Sequence, residues 1–143
     1  MDVRPYEDAD EAAVIALWRE VLPDEAPHND PATAIRQKLA VERDLFLVAT
    51  VEGVLVGTVL GGYDGHRGWV YSLAVQPQHR RQGVGSALVR RLEQALAGRG
   101  CLKVNLQVRS SNAGVVAFYE KLGYAVEPRV SMGKRLYSWP PHA

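Results

Sequence analysis

One segment constrains this chain more than any other. Residues 75–88, Val75-Gln76-Pro77-Gln78-His79-Arg80-Arg81-Gln82-Gly83-Val84-Gly85-Ser86-Ala87-Leu88, close an apolar run and turn at a proline, then enter a helical repeat through a basic, glycine-bearing loop. From Val84 the apolar residues Leu88, Leu92, Ala95 and Leu96 recur on one helical face, to about residue 99. Upstream, residues 69–75 read as a strand; downstream, residues 102–108 alternate Leu102, Val104, Leu106 and Val108 against polar neighbours. A strand, a long helix and another strand form a crossover between parallel strands. The fold is therefore neither all-helical nor purely antiparallel.

The rest of the chain adds antiparallel structure. Residues 1–4 read as a short strand. Residues 45–51 and 54–63 are strands joined at Glu52-Gly53, a hairpin signal, and with 69–75 they predict a meander. Asp8 or Asp10 caps a helix with Ala13, Leu17 and Val21 on its apolar face. Asp30-Pro31 starts a second helix carrying Ile35 and Leu39. Asn112 caps a short helix with Val115, Val116, Phe118, Tyr119 and Leu122, which Gly123 stops. Residues 124–136 are strand-like but interrupted by Pro128, and 137–143 read as a C-terminal tail. The order predicts a mixed α/β sheet in one domain over residues 1–143, an ordinary domain length.

Bulk properties exclude several functions. A net charge of +1, from 17 basic and 16 acidic residues, gives no global drive toward nucleic acid or membrane. Arg90 and Arg91 on the long helix alternate with Glu93, and no aromatic platform accompanies them, so Arg80, Arg81, Arg90, Arg91 and Arg99 do not read as a nucleic-acid surface. No apolar run approaches the roughly 20 residues that span a bilayer, and the N-terminus lacks a signal peptide's apolar core. The single cysteine, Cys101, fits a reducing cytoplasm and reads as a small packed hydrophobe. His28, His79 and His142 show no metal-ligand spacing, so no metal is expected.

The loop opening the long helix has the chemistry of an anion cradle. Glycines permit close backbone approach, the N–H groups of Gln82, Gly83, Val84, Gly85 and Ser86 lie at the positive end of the helix, and Arg80 and Arg81 add charge and donors. A diphosphate suits it. No Gly-Lys-Ser/Thr follows, and Leu88 stands where a dinucleotide fingerprint has its third glycine, so neither phosphate-loop pattern applies.

Arg80-x-x-Gly83-x-Gly85, preceded by Val75-x-Pro77, resembles the acyl-CoA pyrophosphate motif of the GNAT N-acetyltransferase superfamily. Residues 112–124, Asn112-Ala113-Gly114-Val115-Val116-Ala117-Phe118-Tyr119-Glu120-Lys121-Leu122-Gly123-Tyr124, resemble that family's second signature. The stretch 57–68 further resembles its small bacterial YpeA-like subgroup. The resemblance implies a mostly antiparallel sheet of six to seven strands, about four helices and a splayed central strand pair. It implies acetyl-CoA as co-substrate, with backbone groups of Leu73 and Val75 on the pantetheine arm, residues 80–86 on the diphosphate and Asn112 also on the cofactor. A homodimer is compatible with it, although no residue marks an interface.

Acyl transfer to an amine needs a neutral amine, a stabilised oxyanion and a proton for the departing thiolate. By the resemblance, Tyr119 is the general acid, since a phenol of pKa about 10 is protonated at neutral pH. No glutamate occupies the strand at 69–72, where family members often carry one. Asp64, His66 and Tyr71 remain as bases, histidine being the side-chain type suited to proton transfer near neutral pH. The reading is an N-acetyltransferase using direct attack, its acceptor a small-molecule amine or a protein N-terminus or lysine. The reading from another class is a non-catalytic acyl-CoA-binding module.

Overall fold

Residues 46–51 are apolar at every position but Thr50, and the strand they form is buried on both faces. The structure is a computed structural model that describes residues 1–24 and 26–138. Two compact units divide the chain, Met1–Leu106 and Gln107–Ala143.

The N-terminal unit is built on one five-stranded sheet in the order β1-β2-β3-β4-β5. Its strands are β1 (Asp2–Pro5), β2 (Phe46–Val51), β3 (Val54–Tyr63), β4 (Gly68–Val75) and β5 (Val104–Leu106). The first four pair antiparallel, and β5 pairs parallel to β4. The helix α3 (Val84–Gly98) makes the crossover. The expected meander and crossover both form. At the β2–β3 turn Glu52 and Gly53 take φ of 51° and 78°, the two positive values of a two-residue hairpin turn with the twist of its strands.

Side-chain alternation along β2 assigns the two faces. Leu45, Leu47 and Ala49, with Val56, Val59 and Val70, meet Val84, Leu88, Leu92 and Leu96 of α3. Phe46 and Val48, with Leu60 and Ala74, meet α1 (Glu11–Val21) and α2 (Pro31–Val41). The buried face of α1 is Val14, Leu17 and Trp18, whereas Ala13 is exposed and Val21 only partly covered. Of the expected stripe Ala13, Leu17 and Val21 only Leu17 is fully buried, because the helix turns the larger Trp18 inward, where its ring stacks on Phe46. Gly61 lets α3 close on β3, because a Cβ there would fall inside the Leu92 side chain.

Capping follows the sequence at α2, where Asp30 accepts from Thr33 N at 3.1 Å. It departs at α1. Asp10 turns back to accept from Glu7 N at 2.8 Å and from both guanidinium nitrogens of Arg4 at 2.8 and 2.9 Å, so its side chain does not cap the helix.

The C-terminal unit contains α4 (Ala113–Lys121). Asn112 accepts from Val115 N at 3.2 Å at its start. At its end Gly123 takes φ 96°, with Gly123 N donating to Glu120 O and Tyr124 N to Tyr119 O, the paired bonds of a glycine-stopped helix.

Four α-helices and five strands are thus formed among the described residues, not six to seven strands. Residues 124–136 form none. Pro128 lacks an N–H for a ladder, Gly133 weakens one, and Val126, Val130, Met132 and Leu136 lie exposed, so no burial rewards a pleat. The strand expected over 102–108 shrinks to Val104–Leu106, with Leu102 97% exposed. Of the expected tail, residues 139–143 lie outside the described residues.

Candidate functional site

The loop between β4 and α3 is shaped by short-range bonds. Gln76 N donates to Val56 O at 2.8 Å, holding the end of β4 to β3. Residues Pro77–His79 make one tight turn, with His79 N bonded to Gln76 O and Arg80 N to Pro77 O. Arg81 and Gly83 then both take left-handed conformations, φ 63° and 81°. At Arg81 this costs on the order of 1 kcal/mol, since a Cβ crowds the carbonyl there. The Gln82 amide donates to Gln78 O at 3.3 Å, and its Oε1 lies 3.3 Å from Nδ1 of His79. Gln82 therefore ties its own loop together.

This backbone path leaves donors at the mouth of α3. The first helical bond runs from Ala87 N to Gly83 O at 3.0 Å, and no side chain caps the helix at Gly83. The N–H groups of Val84, Gly85 and Ser86 precede that bond, and the exposed Arg80, Arg81 and Gln82 surround them. The arrangement binds an oxyanion through amides, helix dipole and guanidinium together.

A second special backbone lies within β4. Thr58 pairs with Ala74 and Leu60 with Tyr71, so Ser72 and Leu73 both stand opposite Val59. This is a β-bulge, with Ser72 at φ 50°. On its other side β4 pairs with β5 only at Gly68↔Val104, Trp69↔Asn105 and Val70↔Leu106, and β4 runs on to Val75. Leu73 and Val75 therefore lie on a stretch that has no ladder partner on that side among the described residues, able to pair with an extended ligand. Thr58 was not singled out by sequence, although a lone hydroxyl within the apolar run 54–60 of a strand covered on both faces is the signal that finds it.

In the C-terminal unit Tyr119 is buried, its ring edge-on to Phe118 at 5.0 Å and to Tyr124 at 5.5 Å. Burial pushes its hydroxyl up to about 12. Asn112 is spent at least partly on its capping bond to Val115 N.

The three base candidates fare differently. Asp64 accepts from His66 N and Arg67 N, each at 2.7 Å, and from Trp69 Nε1 at 3.4 Å; the two backbone bonds hold its carboxyl below the usual range and make it a weak base. His66 is exposed in the β3–β4 loop, before Gly68. The five strand steps from Gly68 to Leu73 span on the order of 16 Å, so His66 stands at the far end of β4 from the bulge. Tyr71 adjoins the bulge. Its hydroxyl is raised, by burial first and by Glu42 second, and stays protonated at neutral pH.

Sequence reading also missed the charged group beside Tyr71. Lys38 is 5% exposed and donates to Gly61 O, with Nζ 3.5 Å from Glu42 and 5.5 Å from the Tyr71 ring centroid. Burial lowers its pKa despite the neighbouring carboxylate. Glu42 also accepts from Tyr63 N and from Arg99, which pairs with Asp44 as well. The signal available was Lys38 and Glu42 four apart at a helix end. Among the described residues no three His, Cys, Asp or Glu side chains gather closely enough to hold a metal, and no helix is long and apolar enough to cross a membrane.

Known proteins resemble this chain in sequence and fold. A 48% identical acetyltransferase of Pectobacterium atrosepticum aligns over 138 residues, 95% of this chain and 96% of that protein. The crystal structure of Ard1 from Thermoplasma volcanium is 28% identical, with a TM-score of 0.79 over 88% of this chain and 83% of that one. The structure of AAC(6')-Iy in complex with the bisubstrate analog CoA-S-monomethyl-acetylneamine has the same fold at 16% identity, with a TM-score of 0.78 over 94% and 97% of the two chains. The model of the acetyltransferase (GNAT) family matches residues 12–124, a span that takes in the bulged β4, the α3 cradle and α4 with its Asn112 cap alike. With both backbone devices and both sequence signatures inside that match, the chain belongs to the GNAT acetyltransferase family.

Proposed function

We infer that this N-acetyltransferase takes its acetyl group from acetyl-CoA and passes it to a primary amine by direct attack, with no covalent enzyme intermediate. The observation that carries the donor is the cradle: two left-handed positions, Arg81 and Gly83, on either side of Gln82, open α3 with no side-chain cap at Gly83. Val84, Gly85 and Ser86 N–H and the guanidinium groups of Arg80 and Arg81 hold the diphosphate. Leu73 and Val75 bond the pantetheine arm along the part of β4 beyond its pairing with β5, with Asn112 a further cofactor contact. A CoA-linked analog bound by AAC(6')-Iy, which has the same fold, supports the reading.

Acetyl-CoA supplies an activated thioester carbonyl to the acceptor amine. The Leu73 N–H stabilises the charge that develops on the carbonyl oxygen. Tyr119 holds its proton on Oη throughout the neutral range and donates a hydrogen bond to the leaving sulfur. At about 12 its hydroxyl is a weak acid. Full transfer to a thiolate of ordinary pKa near 8.5 runs uphill by roughly three units, so Tyr119 contributes chiefly by hydrogen bonding and the amine's own proton completes the thiol. Deprotonation of the amine is assigned to water oriented by Tyr71, with His66 a more distant base.

Calorimetric titration with acetyl-CoA and desulfo-CoA, followed by thiol release across a panel of primary amines, tests the reading. Micromolar binding of both and turnover with at least one amine are expected. Binding without turnover by any amine reassigns the chain to an acyl-CoA-binding module, and absence of binding overturns the donor.

A further inference from the structure

The Ser72–Leu73 peptide is aimed by two buried side chains outside the cradle. Trp18 of α1 donates from Nε1 to Thr58 Oγ1 at 2.8 Å, and Thr58, fully buried on β3, donates to the Ser72 carbonyl at 3.2 Å. The polarity of this chain is fixed by chemistry. An indole N–H can only donate, so Thr58 Oγ1 accepts there and its single proton is committed to Ser72 O. A trans peptide points its C=O and the following N–H in opposite directions. The Ser72 carbonyl turned toward Thr58 therefore sends Leu73 N–H away from Thr58.

An ordinary strand residue needs no such clamp, because its carbonyl is met by the ladder. Here the bulge takes Ser72 and Leu73 out of the one-to-one register, both opposite Val59, and Ser72 sits at φ 50° with a Cβ that disfavours it. A strained peptide persists where its surroundings over-determine it. The clamp comes from elements remote in sequence, 40 residues between Trp18 and Thr58 and 14 between Thr58 and Ser72.

We propose that Trp18 and Thr58 are positioning residues for acetyl transfer, fixing the direction of the Leu73 N–H on which the developing oxyanion depends. This rests on the acetyl-CoA reading above. Neither side chain lies in the diphosphate cradle, so disrupting the clamp leaves cofactor affinity in place and removes rate.

The test uses the full chain with 15N-labelled leucine and tryptophan, as the unsubstituted protein and as Thr58→Val, Thr58→Ser and Trp18→Phe. Nuclear magnetic resonance follows the Leu73 amide on addition of S-acetonyl-CoA, a non-transferring ketone analogue, and of desulfo-CoA, which keeps the pantetheine amides but has no carbonyl at the acyl position. In the unsubstituted protein the Leu73 amide proton moves downfield with the ketone only. In Thr58→Val that response is lost, kcat falls about 10- to 100-fold and acetyl-CoA affinity stays within about threefold. Thr58→Ser, which keeps the hydroxyl, restores both. Should Thr58→Val not fold, Trp18→Phe decides: it is expected to lower kcat and weaken the ketone response, and equal turnover with an unchanged response overturns the proposal. A folded Thr58→Val with full turnover and the same Leu73 response overturns it too, leaving the acetyl-CoA reading intact. Failure of the unsubstituted protein to bind either CoA derivative overturns that reading and the proposal together.

Discussion

Tyr119 shows how one buried hydroxyl links stability to chemistry. Its pKa is about 12 against an unperturbed value near 10, and burial is the cause. The folded state therefore holds this proton more tightly than the unfolded one. The stability so gained is complete below pH 10 and is lost as pH rises from about 10 to 12. Tyr119→Phe should remove that alkaline loss in urea titrations at pH 9 and pH 11. The same substitution should lower kcat by about 10- to 100-fold with acetyl-CoA affinity little changed. No loss of rate attributable to Tyr119 is expected up to about pH 10.5; an alkaline limb near pH 10 that disappears in Tyr119→Phe would mean the hydroxyl is not desolvated. The residue's identity was legible from its place in the 112–124 signature. Its pKa was not, because that depends on the Phe118 and Tyr124 rings packed against it.

At the level of elements, local signals were read well and inward polar groups poorly. The Glu52-Gly53 hairpin, the Asp30 and Asn112 caps and the Gly123 stop each depend on bonds within a few residues, which sequence displays directly. The bulge in β4 and the Lys38–Glu42 pair depend on what other elements present to them, and neither has a spacing of its own. That pair pins the end of α2 to β3 and, through Arg99, to the end of α3. Its two members are not equivalent. Lys38→Met leaves Glu42 still bonded to Arg99 and Tyr63 N–H, and should change stability by no more than about 1 kcal/mol. Glu42→Gln leaves a buried ammonium without its counter-charge and should cost roughly 3–5 kcal/mol. Chemical denaturation of both variants checks this, and equal losses would show that the pair acts only through packing.

Over the whole chain, positive charge is local, since 17 basic residues are balanced by 16 acidic ones and the net charge is only +1. The cradle must therefore bind through placed donors, and that binding is readable as stability. A ligand at 100 times its Kd adds about 2.7 kcal/mol to unfolding, which for a chain of this length raises Tm by on the order of 8 °C. Acetyl-CoA and desulfo-CoA should give equal shifts, because the cradle reads the diphosphate and not the thioester. Gly83→Arg should abolish the shift by obstructing backbone approach. It also forces a side chain into φ 81°, so its unliganded Tm should fall by a few degrees. Gly53→Arg supplies the control. Gly53 has φ 78° in the β2–β3 turn, and a Cβ at either glycine meets nothing within 4 Å, so the two variants carry similar backbone strain. The control should lose the same few degrees without ligand and keep the full ligand-induced rise. If both variants keep that rise, the diphosphate is held elsewhere than at Arg80–Ser86; if both lose it, backbone strain alone disables binding and the cradle has no privileged part in it.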